Sequence, residues 1–197
     1  MKHEAALKVA ESLVGHLRPA CVRIEIAGSI RREKFEVKDI EILAIPDLSP
    51  LPKPKAEFGK PIPMKYKTAL DQLIAKMAAD GDIRFGKNGD RLKSFYLGCA
   101  GIQVDLFLVL PPATWGVLKV IRTGPADFSH WCVTRKRNGG ALPNNFRVQD
   151  GAVWEGPLKT KSLIGERLIG FEDETDFLRF LGLDWIEPRD RIARWNT

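Results

Sequence analysis

"GSIRREKFEVKDIEIL", residues 28–43, joins a Gly-Ser turn, two adjacent arginines and two acids one residue apart. Just before it, "CVRIEIAG" (21–28) alternates Val22, Ile24 and Ile26 with Arg23 and Glu25, the period of a strand with one buried face. The stretch runs on into "DIEILAIP" (39–46), a second strand stopped by Pro46. Strand residues two apart leave the same face, so Asp39 and Glu41 project together while Ile40 and Ile42 point the other way. Gly28 permits close backbone approach, and backbone amides, the Ser29 hydroxyl and the guanidinium groups of Arg31 and Arg32 can donate to phosphate oxygens. Donors suited to a polyphosphate therefore stand a few residues from paired carboxylates.

Outward from this stretch the chain reads as helices and strands in mixed order. Ala6, Val9, Ala10, Leu13 and Leu17 recur at helical spacing over residues 2–17, and Pro19 follows. Prolines 46, 50, 52, 54, 61 and 63 forbid regular structure over 46–63 and predict a loop of extended chain. A helix with Leu70, Leu73, Ile74 and Met77 on one side then stops at Gly81. "RLKSFYLGCAGIQVDLFLVL" (91–110) reads as a hairpin with strands at 92–97 and 102–110. Two helical segments, near 112–121 and 126–138, are joined by "RTGP"; strand-like pieces follow at 146–148 and 152–154, and a short helix lies in "ETDFLRFLGLDWIEP" (174–188). The expected class is α+β, a mixed β-sheet flanked by helices and followed by a smaller α+β part.

A third acid, Asp105, sits in "IQVDLFLVL" among almost unbroken apolar residues, a costly position unless it is paired or metal-bound. If that strand neighbours residues 39–46, Asp39, Glu41 and Asp105 form a divalent-metal site. Hard Mg²⁺ prefers carboxylate oxygen, and two such ions about 3.5–4 Å apart can clamp an in-line phosphoryl transfer. The other reading makes Asp39 and Glu41 solvated edge-strand acids and pairs Asp105 with a core lysine. Spacing alone leaves both open.

The totals bound the rest. With 197 residues, 44% of them hydrophobic, the chain can bury the core of one domain or two small subdomains. A formal charge of +6 permits a polyanionic partner without requiring one. Cys21, Cys99 and Cys132 make no CxxC pair and no even framework, so reduced thiols in a cytoplasmic protein are expected. Residues 1–20 show no signal-peptide pattern, and no apolar run nears the ~20 residues of a membrane span, so no membrane partner is expected. The histidines show no metal-ligand spacing.

At this point the motifs resemble a family. "GSIRR", six residues, then "DIE" resembles the G-S-x-R-R-x6-D-x-D signature of the DNA polymerase beta-like (family X) nucleotidyltransferases. "VDLFLVLPP" (104–112) resembles their third catalytic strand, and "WGVLKVIRTGPADFS" (115–129) the following helix and Thr-Gly turn. "ETDFLRFLGLDWIEPRDR" (174–191) is similar to their closing element. The pieces come in family order and span roughly residues 20–191.

The resemblance implies a nucleotidyltransferase palm over residues 1–112 and a C-terminal subdomain over 113–197 that closes on the nascent base pair. It implies a DNA polymerase that adds nucleotides from nucleoside triphosphates to a primer 3′-OH, in gap filling or repair-like synthesis. Its partners would be primer-template or gapped DNA, and the enzyme a monomer. Asp39, Glu41 and Asp105 would be catalytic and hold two Mg²⁺ ions, for which Mn²⁺ can substitute. Gly28, Ser29 and Arg32 would bind the β and γ phosphates, Thr123 and Gly124 would flank the sugar, and Ser129 stands where the family has a minor-groove Asn. Departures are Glu41 for the second Asp, Glu33 and Lys38 at frequent glycines, Ile121 and Arg122 for an aromatic pair, and Gln103 for an Arg. Nothing in residues 1–20 resembles the family's lyase or helix-hairpin-helix parts, so base-excision lyase activity is not expected. "RKR" (135–137), "KTK" (159–161), Arg189, Arg191 and Arg194 are candidate phosphate contacts, and Trp131, Trp154 and Trp185 candidate stacking or core residues. Transfer to RNA, to a small molecule or without a template is the alternative; a non-catalytic nucleic-acid-binding accessory is the rival of another class.

Overall fold

Helix α1 (His3–Leu17) lays Ala6, Ala10, Leu13, Val14 and Leu17 against the sheet, the stripe its 3.6-residue period predicts. The computed structural model describes residues 1–49, 68–98, 101–156 and 167–195; most of the proline-rich stretch and "KTK" lie outside them. After α1 come β1 (Cys21–Ile26), the single turn α2 (Gly28–Arg31), β2 (Asp39–Pro46), α3 (Ala69–Ala79), β3 (Ile83–Asn88), β4 (Leu92–Leu97) and β5 (Gln103–Leu108). The remainder holds α4 (Trp115–Thr123), α5 (Ala126–Val133), β6 (Phe146–Gln149), β7 (Ala152–Glu155), β8 (Arg167–Ile169) and α6 (Glu174–Phe180). The protein is α+β.

The first sheet runs β1-β2-β5-β4-β3, with β2 and β5 parallel and every other pair antiparallel. One face carries Ile40, Ile42, Ala44, Phe95, Val104, Leu106 and Leu108 into the core beneath α1 and α3. On the opposite face Leu43, Phe107 and Val109 pack with Trp115 of α4. A second sheet, β6-β7-β8, is an antiparallel meander. Its Val153 joins Val117, Val120, Phe128, Trp131, Leu142, Phe177 and Leu178 in another core. Helix α4 thus serves both sides. Its Lys119, only 3% exposed, fixes it to the first sheet by donating to the Ile26 carbonyl at 2.9 Å and to Glu25 at 2.8 Å.

Three local readings need correction. Val22 is 73% exposed instead of buried, because the β1–β2 register shifts between Cys21 and Arg23 and turns it outward. Helix α5 ends at Val133 instead of running to 138. There the chain doubles back through Gly139 (φ 83°), so that the Leu142 amide donates to the Thr134 carbonyl at 2.9 Å. Strands β3 and β8 escape sequence reading, since in each only one end is covered and alternation is weak. No helix among the described residues is long and apolar enough to cross a membrane.

Candidate active site

Parallel pairing sets Glu41 opposite Asp105 and Asp39 opposite Gln103, so all four side chains leave one face of the sheet. That face is the one away from α1 and α3. Asp105 is anchored through one oxygen. Its Oδ1 accepts from Ser94 Oγ at 2.6 Å and from Gln103 Nε2 at 3.1 Å. Ser94 is its register partner on β4, a neighbour the sequence reading did not single out. The buried lysines belong elsewhere: Lys93 meets Asp71 at 2.7 Å and Asn88 at 2.9 Å, and Lys119 pairs with Glu25.

Glu41 stands between these acids and the Gly-Ser turn. Burial, and then the charge of Asp39, push its carboxyl up to about 7; Arg32 and Arg122 pull the other way, and Asp105 adds a further upward push. The Ala27 amide donates to the Glu41 carbonyl at 2.8 Å, which brings α2 directly against β2. Gly28 has φ 62°, and a β-carbon there would run into the Glu41 carboxylate. No larger residue fits that approach.

The two arginines of the turn divide their work. Arg31 Nη1 donates to Thr123 Oγ1 at 2.8 Å, and its fork closes on both carboxylate oxygens of Glu174. Glu174 also accepts from Arg191 Nη2 at 2.9 Å, a side chain with 0% exposure. Arg32 Nη1 donates to the Thr123 carbonyl, while its Nε and Ser29 Oγ are buried with no hydrogen-bond partner among the described residues. Arg191 is therefore internal instead of a phosphate contact, and Arg189 pairs with Glu33 at 3.0 Å.

Of the remaining candidates, Thr123 is fully buried and Gly124, at φ 73°, packs against Arg32. Ser129 is turned inward: it is 7% exposed and its hydroxyl donates to the Ile121 carbonyl at 2.7 Å. Arg122 was visible in sequence only as a departure from an aromatic. In the fold its guanidinium lies 3.9 Å from the centre of the Phe107 ring, with Glu41 and Asp105 the carboxylates whose charge acts on it.

Among the described residues no three His, Cys, Asp or Glu side chains already form a metal-binding group. The donor chemistry nonetheless fits a hard divalent cation. Three carboxylates share one sheet face, and burial first, with like-charge repulsion added, raises the Glu41 carboxyl to about 7, a cost that a bound cation relieves. No family model matches the chain, and no curated protein matches it.

Proposed function

We propose that this chain is a nucleotidyltransferase of the DNA polymerase beta-like kind, extending a DNA primer from nucleoside triphosphates. The reading takes residues 1–112 as its palm and 113–197 as its C-terminal subdomain. One observation carries it. Among the described residues Ser29 Oγ and Arg32 Nε are buried polar groups without hydrogen-bond partners, and they border a row of three carboxylates. Buried unsatisfied donors are rare in folded proteins, and a pair of them beside an acid cluster suits a polyphosphate brought with its counter-ions.

In this reading Ser29 and Arg32 bind the β and γ phosphates, and Gly28 lets the chain approach them. Ser94 and Gln103 hold Asp105 by Oδ1, and among the described residues nothing bonds Oδ2. The primer 3′-hydroxyl loses its proton to Asp105 Oδ2, its oxygen bonds to the α-phosphorus, and the bond to pyrophosphate breaks. Mg²⁺ or Mn²⁺ held by Asp39, Glu41 and Asp105 would neutralise charge developing on the reacting phosphate.

The test is primer extension by purified protein with Mg²⁺ or Mn²⁺, supplied with deoxy or ribo triphosphates, DNA or RNA primers, and template present or absent. Incorporation on a DNA primer is expected. Incorporation only on RNA or only without template moves the assignment to that acceptor, and none in any lane sinks the polymerase reading.

A further inference from the structure

Arg122 is a cation held by a ring contact and not by a paired carboxylate. Among the described residues it closes no ion pair, and its Nε is buried without a hydrogen-bond partner. It is the last residue but one of α4, beside Thr123, and its guanidinium lies over Phe107, which follows Asp105 by two residues on the same face of β5. Arg32 reaches the acids from the other side, out of α2 beside β1, and is tied to the Thr123 carbonyl. The charges follow the same division: Arg32 is acted on by Glu41 and Asp39, Arg122 by Glu41 and Asp105. The acid row is thus flanked by two guanidinium groups, one serving each end.

Nucleotidyl transfer joins two substrates. The Ser29–Arg32 side accounts for the triphosphate, and Asp105 is the acid at which the acceptor hydroxyl reacts. A second guanidinium on the Asp105 side, 3.9 Å from the centre of an aromatic ring, suits a second anion. It would repel a cationic acceptor and offer a neutral one a hydrogen bond without the attraction of opposite charge.

We propose that Arg122 binds the acceptor, donating to the phosphodiester next to the attacking hydroxyl, so that the acceptor is a nucleic-acid strand and not a small polyol or amine. This rests on the nucleotidyl-transfer reading above. Arg122 is an acceptor-binding residue, distinct in role from Ser29 and Arg32.

The experiment measures binding, not turnover. Fluorescence anisotropy with Mg²⁺ present follows a short single strand ending in a 3′-hydroxyl, in DNA and RNA forms, with no triphosphate added. A second strand carries an uncharged methylphosphonate at its last linkage, and a fluorescent deoxynucleoside triphosphate is titrated separately. Arg122→Met keeps the aliphatic bulk over Phe107, Arg122→Lys keeps the charge, and thermal melting checks that both fold. In the wild type the methylphosphonate should weaken strand binding on the order of tenfold, the scale of one charge-assisted contact. In Arg122→Met the normal strand should already be weaker by about that factor, with little further loss from the methylphosphonate. Triphosphate affinity should stay within about twofold, and Arg122→Lys should keep much of the methylphosphonate penalty. DNA and RNA arms report which sugar the strand carries. An undiminished methylphosphonate penalty in Arg122→Met, or a loss confined to the triphosphate, overturns the proposal while leaving nucleotidyl transfer standing. Wild-type protein that binds no triphosphate at all overturns the reading beneath it.

Discussion

At Gly28 two constraints coincide, a left-handed backbone (φ 62°) and a neighbouring Glu41 carboxylate. Gly28→Ala should cost about 1–2 kcal/mol from the backbone alone, with more from displacing Glu41, measured by denaturant unfolding. Glu33 shows the opposite case. It has φ 55°, a conformation that glycine adopts freely, and it occupies a position where the resembled family often has glycine. Among the described residues its side chain meets only the exposed Arg189, so Glu33→Gly should be stabilising by up to about 1 kcal/mol in the same assay. The acids separate function from stability. Asp39 pushes up the carboxyl of Glu41, so Asp39→Asn should raise the melting temperature of chelator-treated protein at pH 8. The same change should lower primer extension on the order of a hundredfold or more, because a metal is left short of a ligand. A stability loss with activity intact would make Asp39 a structural acid. These residues could be singled out from letters alone, since strand period and the Gly-Ser pair are local signals.

Among elements, the decisive join is the meeting of α2, α4 and α6 around Glu174, the first residue of α6. Its carboxylate holds Arg31 from α2 and the fully buried Arg191, and Arg31 in turn holds Thr123 at the end of α4. Burial raises the Glu174 carboxyl, but the Arg31 hydrogen bond and the charges of Arg191 and Arg31 outweigh it and hold it below the ordinary value. Glu174→Gln leaves Arg191 buried without its counter-charge, a change of about 3 kcal/mol or more. A depressed folded pKa gives stability that is complete above the unfolded value, near 4.5, and lost as pH falls through the folded one. The gap between wild type and Glu174→Gln should therefore be widest at neutral pH and narrow below about 4.5, followed by thermal unfolding across pH. A gap that does not change with pH would mean that the pairing does not act through charge. The network was illegible in sequence. Glu174 and Arg31 are 143 residues apart, and "ETDFLRF" and "GSIRR" read alike whether they meet or not.

Over the whole molecule, a formal charge of +6 is distributed unevenly. Arg135, Lys136 and Arg137 crowd one loop near Arg147; burial, then the charges of Arg137 and Arg147, lower the pKa of Arg135. Binding to a single strand should weaken linearly in log salt, by about 0.7 per phosphate neutralised, and Lys136→Ala with Arg137→Ala should flatten that slope by about one. An unchanged slope would assign the loop to solvent. What the sequence determined by itself was local. It ordered hydrogen-bond donors directly ahead of two acids, alternated Ile40 and Ile42 with them, and set a third acid in an apolar strand, all consequences of strand period and side-chain chemistry. Tertiary structure decided the rest. Burial of Ile40, Ile42, Val104 and Leu106 in one core makes β2 and β5 parallel neighbours, which sets Asp105 opposite Glu41. Docking of α4 on the other face carries Arg122 to the acids and turns Ser129 away from solvent. Such non-local pairing is selected by which faces can be buried together, and that choice is written across the whole chain and not in any one stretch.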